Sequence, residues 1–171
     1  LCDWSSDVCS SDLERKHVLR QLIQLYQYDF PEIDGDDVND AGEFPYQWLD
    51  HYWTESGRTP FLVYSDGHIA GFVLLGIRSV LGRDQDTRSV AEFFIMRKYR
   101  RMGIGRKVAF QLFDRFRGAW EVFQTRENLA ARAFWAASIG EYTDGDFEKT
   151  DVDSEAWRGP VQTFDNNRRT V

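Results

Sequence analysis

Two stretches of this sequence hold residues of the right type and spacing to do chemistry. Between Arg97 and Lys107, six cationic side chains (Arg97, Lys98, Arg100, Arg101, Arg106 and Lys107) surround two glycines spaced Gly103-x-Gly105. Like charges repel and glycine weakens a helix. Yet Ile104, Val108, Leu112 and Phe116 recur every four residues directly afterwards, which predicts a helix. An anion reconciles these features. The first N–H groups of a helix lack partners and the macrodipole is positive there, and glycine lets a phosphate approach the amides. The competing reading is a tight turn on a solvated basic surface. No Gly-Lys-Ser/Thr follows, so this is not a Walker-type loop, and Val108 stands where a dinucleotide fingerprint needs its third glycine.

The second feature is Glu92, a carboxylate inside the apolar run Val90–Met96. Burying it alone is costly, so it must reach water or find a partner. Strand alternation puts it on the face of Phe94 and Met96. A structural ion pair is one way to satisfy it. His17, His51 and His68 are scattered without ligand spacing, so no metal is expected.

The elements that must position these groups follow from periodicity. Residues 14–30 carry Val18, Leu19, Leu22, Ile23, Leu25 and Tyr26 on one stripe, predicting an amphipathic helix ended by Pro31. An acidic loop follows, and the run 44–53 predicts a short second helix with an aromatic face. Apolar runs around Asp66-Gly67 predict a hairpin with strands at about 60–65 and 68–78, its two turn residues at positive φ. Further strands are expected at 89–96 and 120–125. The helix from Ile104 should stop near Gly118; another, over 128–139, should be capped by Asn128 and closed by Gly140. A strand pair ends the chain. This order fits a single α/β (α+β) domain, a mixed central sheet with helices on both faces.

The chain has 171 residues, 42% hydrophobic and 15% aromatic, enough for a real core. Its net charge of -7 argues against a nucleic-acid binder and makes the basic stretch a local feature. No run is long and apolar enough for a membrane span. The opening LCDWSSDVCSSDL holds both cysteines, shows no helix or strand periodicity, and lacks the features of a secretory signal. It resembles translated adapter sequence at open ends of metagenomic reading frames, so residues 1–13 are expected to be a non-native tail. Without it the chain has no cysteine, which fits the cytoplasm.

Arg100-x-x-Gly103-x-Gly105 after an aromatic strand resembles the acyl-CoA motif of the GNAT N-acetyltransferases. Asn128, Ala131, Phe134, Trp135 and Ile139-Gly140-Glu141-Tyr142 resemble that family's second motif. The likeness covers roughly 14–166, and the wording is similar to a subgroup of bacterial acetyltransferases. It implies the GNAT-type acyl-CoA N-acyltransferase fold for 14–171, with acetyl-CoA as co-substrate and direct attack by an amine. Phe94, Ile95 and Met96 would line the pantetheine arm. The stretch Arg100, Arg101, Met102, Gly103, Ile104, Gly105 and Arg106 would hold the diphosphate, with Asn128, Phe134 and Trp135 also facing the cofactor. Glu92 would be the general base. Relatives often carry tyrosine where Trp135 stands, and indole cannot give up its proton, so Tyr142 or water becomes the candidate acid. The first helices would wall the acceptor site with Tyr28, Asp29, Phe30 and Trp48. Expected partners are a small-molecule or peptide amine and, as an open option, a second copy in a homodimer; nucleic acid and membrane are not expected. The alternative is a non-catalytic acyl-CoA-binding module or sensor.

Overall fold

The computed structural model describes residues 8–10, 13–30, 35–83 and 86–167. Among them the elements run β1 (Val8–Ser10), α1 (Lys16–Gln27), α2 (His51–Thr54), β2 (Thr59–Ser65), β3 (His68–Ile77), β4 (Arg88–Ile95), α3 (Ile104–Arg115), β5 (Ala119–Phe123), α4 (Leu129–Thr143), β6 (Glu148–Asp153) and β7 (Arg158–Asp165). The strands form one mixed seven-stranded sheet in the order β1-β2-β3-β4-β5-β7-β6. β4 pairs in parallel with β5 through Arg88↔Trp120 and Ser89↔Glu121. β7 runs antiparallel to both β5 and β6.

The chain folds as two compact units, residues 1–74 with 92–105 and residues 75–91 with 106–171. It passes between them three times, so neither is a continuous segment, in keeping with one domain. In the first unit, α1 sets Leu19, Leu22 and Ile23 against Tyr52, Leu62, Phe72, Leu74 and Phe94. The stripe read from sequence is narrower than predicted, because Leu25 is exposed. The second unit packs Phe113 of α3 edge-on to Trp120 of β5 and Phe164 of β7 at 5.0 and 4.9 Å. It also buries Glu121 completely. That carboxylate accepts hydrogen bonds from the Ser79 hydroxyl at 2.6 Å and the Val80 amide at 2.8 Å, which offsets its desolvation.

The hairpin forms as its sequence demands, with Asp66 at φ 51 and Gly67 at φ 73. Three elements differ from expectation. The run 44–53 is helical only over His51–Thr54. Phe44 precedes a proline, which disfavours the helical region, and the Gln24 side chain binds both the Phe44 amide (2.7 Å) and its carbonyl (2.9 Å). Helix α4 continues past Gly140 to Thr143, and a strand begins only at Glu148. The stop is set by Asp144, at φ 54, and by the Gly145 amide donating to the Gly140 carbonyl at 2.8 Å. Last, Val8–Ser10, where no strand pattern is legible, pairs antiparallel with β2 through Val8↔Val63, Cys9↔Leu62 and Ser10↔Phe61. Pro31, read as the end of the first helix, lies outside the described residues; α1 ends at Gln27.

Candidate active site

Glu92 sits on β4 in the first unit and finds partners that the sequence did not name. The Tyr26 hydroxyl of α1 donates to Glu92 Oε2 at 2.5 Å and the Tyr46 hydroxyl donates to Oε1 at 3.1 Å. Each carboxylate oxygen thus carries one phenol. Burial raises the Glu92 pKa above the ordinary carboxylate value, while the two phenol bonds pull it partly back. The effect is mutual. Desolvation and the Glu92 charge raise Tyr46, and the same pair of causes pushes Tyr52 up to about 12. At neutral pH the Tyr46 phenol is therefore a protonated donor.

Alternation holds as read: the Tyr26 ring that reaches Glu92 also meets Phe94 edge-on at 5.8 Å, and Met96 packs against the same core. The β4 backbone is pressed close to β3. A Cβ on Gly71 would lie 1.9 Å from the Phe94 carbonyl oxygen, and the Met96 amide donates to the Ala70 carbonyl at 2.9 Å. Beside Glu92 opens a pocket of about 440 Å³ lined by Gln27, Pro45, Tyr46, Gln47, Trp48 and Glu92. Of the acceptor-side residues expected from sequence, Trp48 lines this pocket and Tyr28, Asp29 and Phe30 do not. Asp29 is committed elsewhere, accepting from Arg97 at 2.6 Å and Arg100 at 2.5 Å. Desolvation would raise its pKa, but the bonds and charges of these arginines outweigh it and hold the carboxyl low. Phe30 packs edge-on to Tyr26 at 4.7 Å, and Tyr28 is exposed.

After β4 the chain makes a 3₁₀ turn over Arg97–Tyr99 and enters the glycine loop. Arg100 does not reach freely into solvent. Its Nε donates to the Ile95 carbonyl at 2.7 Å and its guanidinium lies 5.7 Å from the Phe94 ring centroid. Arg101 takes φ 63 and Gly103 φ 77, so the backbone turns through left-handed positions just before α3 begins at Ile104. Open space surrounds the place where a Gly103 Cβ would stand. Met102 is 63% exposed, and the first amides of α3 lack intrahelical partners by geometry. A diphosphate fits such a loop, in both charge and access.

The second unit holds the remaining candidates. Arg106 is paired with Glu141. Asn128 caps α4, its Oδ1 accepting from the Ala131 amide at 3.0 Å. Trp135 is buried beside Phe113 and Phe134. The Tyr142 hydroxyl donates to Asp114 Oδ1 at 2.8 Å and accepts from Asn166 at 3.4 Å; burial, then the Asp114 bond, raises its pKa. These ties suit a buried anchor.

Sequence reasoning missed Tyr26 and Gln27 as site residues. Tyr26 lay on the apolar stripe of α1 and was read as core. Its hydroxyl was the available signal, since a phenol on a buried stripe needs a hydrogen-bond partner.

Comparison with known proteins matches this architecture to one class. A model of the Acetyltransferase (GNAT) family matches residues 19–140. The chain belongs to the GNAT family of acetyltransferases and is an acyltransferase. Solved structures share its fold at low sequence identity. An acetyltransferase from Thermus thermophilus is 15% identical with a TM-score of 0.68, covering 95% of this chain and 98% of that one. The aminoglycoside acetyltransferase AAC(6')-Ib, solved with coenzyme A, is 16% identical with a TM-score of 0.63, covering 94% and 95%. The PaiA N-acetyltransferase from Thermoplasma acidophilum, also with coenzyme A, is 12% identical with a TM-score of 0.63, covering 95% and 100%. A search of curated protein sequences gives no match. Among the described residues no helix is long and apolar enough to cross a membrane, and no cluster of metal-ligating side chains is present.

Proposed function

We propose that this acyltransferase moves an acetyl group from acetyl-CoA to a primary amine by direct attack, with Glu92 as general base. The observation that carries the reading is the Glu92 carboxylate, bound by one phenol on each oxygen, with its pKa raised, at the wall of an open pocket. A base works best when its pKa approaches the working pH, and burial moves Glu92 that way. The bound thioester supplies an electrophilic carbonyl and a thiolate leaving group. Glu92 accepts a proton from the entering ammonium, leaving a neutral amine whose lone pair forms the new N–C bond as the C–S bond breaks. The Tyr26 and Tyr46 hydroxyls hold the carboxylate in one orientation through this transfer.

In this reading the amides from Arg101 to Arg106 receive the diphosphate, and Phe94, Ile95 and Met96 run along the pantetheine arm. Trp135 is a packing residue, for its indole cannot protonate a thiolate and its ring is buried. Tyr142 is spent on Asp114. We therefore assign to water the relay that carries the remaining proton of the newly acylated nitrogen to the departing thiolate, and the Glu92 proton leaves to solvent. The test is calorimetric titration with acetyl-CoA followed by a thiol-release assay over a range of primary amines. Heat of binding and amine-dependent thiol release support the reading. Binding without release for any amine would return the protein to the class of acyl-CoA sensors.

A further inference from the structure

Helix α1 grips the segment before α2 with two glutamines one turn apart, and they are used differently. Gln24 spends both ends of its amide on Phe44, accepting from the backbone N–H and donating to the carbonyl. Gln27 spends only one: its Nε2 donates to the Pro45 carbonyl at 3.0 Å, while its Oε1 is buried without a partner among the described residues. The amide cannot be turned round, because a carbonyl faces the nitrogen and requires a donor. Gln27 and Glu92 line the same pocket. A buried acceptor left unmatched is costly, and here it belongs to a residue that lines the pocket we assign to the acceptor amine.

From this we infer that the pocket selects an amine carrying a neutral hydrogen-bond donor beside its ammonium group, and that Gln27 is the residue reading that donor. The inference rests on the acetyl-transfer reading above. Three further features narrow the class to compact α-amino amides and their like. Among the described residues Glu92 is the one carboxylate in the lining, so one positive charge is matched and a polycation is not. The obvious second carboxylate, Asp29, is held by Arg97 and Arg100. The described lining contains no lysine or arginine, so a carboxylate beside the amine would face Glu92 uncompensated. Trp48, 47% exposed, offers an indole face for an aliphatic side chain or for the ammonium itself.

The experiment compares leucinamide, leucine methyl ester, leucine and spermidine as acceptors, reading kcat/KM by thiol release with the wild-type protein. The amide presents a donor, the ester has nearly the same shape without one, and the acid replaces it with a negative charge. Leucinamide should exceed the ester by about 10-fold, since an unmatched buried acceptor discriminates against the analogue lacking the donor. Leucine should be poorer than the amide, and spermidine no better than the ester. Gln27→Met should collapse the amide-to-ester ratio towards one. The inference is overturned if the ester equals the amide, if spermidine leads, if the ratio survives in a folded Gln27→Met protein, or if none of the four is acetylated. Calorimetric binding of acetyl-CoA in the same samples separates these failures from failure of the acetyl-transfer reading, which predicts that heat whichever amine is preferred.

Discussion

Replacing Gly71 with alanine tests whether close packing of β3 behind β4 places the base. The added Cβ would sit 1.9 Å from the Phe94 carbonyl oxygen and 2.9 Å from its carbon. A carbon–oxygen contact is comfortable only from roughly 3.3 Å, so the strands must part by about 1.4 Å at Phe94. Both groups are backbone and neither can rotate away. Overpacking of this kind costs about 2 kcal/mol, which lowers the melting temperature by roughly 4–8 °C in a chain of this length. Phe94 is two residues from Glu92 on the same face, and a misplacement near 1 Å at a catalytic group costs about 100-fold in rate. Gly76 on the same strand is the control. Its added Cβ would meet only the Ser89 hydroxyl, at 3.7 Å, an ordinary contact. Thermal melts and kcat/KM by thiol release should therefore separate Gly71→Ala sharply from Gly76→Ala. Two variants that melt together and turn over alike would refute the packing argument.

Other outcomes follow from the same geometry. Gly103→Ala places a side chain at φ 77 and shields the loop amides, so calorimetry should show weakened binding of coenzyme A, with a modest stability cost of about 1 kcal/mol. Tyr26→Phe and Tyr46→Phe each remove a bond that lowers the Glu92 pKa; the acidic limb of kcat/KM should move to higher pH, further for Tyr26, whose bond is shorter. The folded pKa of Glu92 is raised, so the native state holds its proton more tightly than the unfolded chain. Its favourable contribution is present below the ordinary carboxylate value and lost as pH rises through the folded value. Glu92→Gln should accordingly gain stability over wild type at pH 8 and lose that advantage at pH 4 in urea unfolding. Asn128→Ala removes the α4 cap and should cost about 1 kcal/mol in the same measurement.

Much of the fold was legible because it is written in local signals. The Asp66-Gly67 hairpin, the helix following Gly103-x-Gly105, and the Asn128 cap each depend on a few adjacent residues, and each formed as read. The misreadings share a cause. The aromatic run 44–53 has helical spacing, but Gln24, twenty positions away, claims the Phe44 backbone. Gly140 was a plausible stop, yet the chain had Asp144 and Gly145 to use instead. The site divided along the same line. Glu92 stood out as a charge in an apolar strand, whereas its phenol partners lie 66 and 46 residues away, and a hydroxyl on a buried stripe says that a partner is needed without saying which. Asp29 looked available for a cation until the fold brought it to two arginines.

Removal of a proton from the acceptor amine by Glu92 is the step on which the proposed chemistry depends. The pH profile of kcat/KM for wild type and Glu92→Gln, at saturating acetyl-CoA with one accepted amine, tests it most directly. The wild type should lose activity on an acidic limb set by the Glu92 carboxylate. The variant should lack that limb and run slower by about 100-fold or more at neutral pH. A glutamine variant with the wild-type profile and the wild-type rate would contradict this role for Glu92.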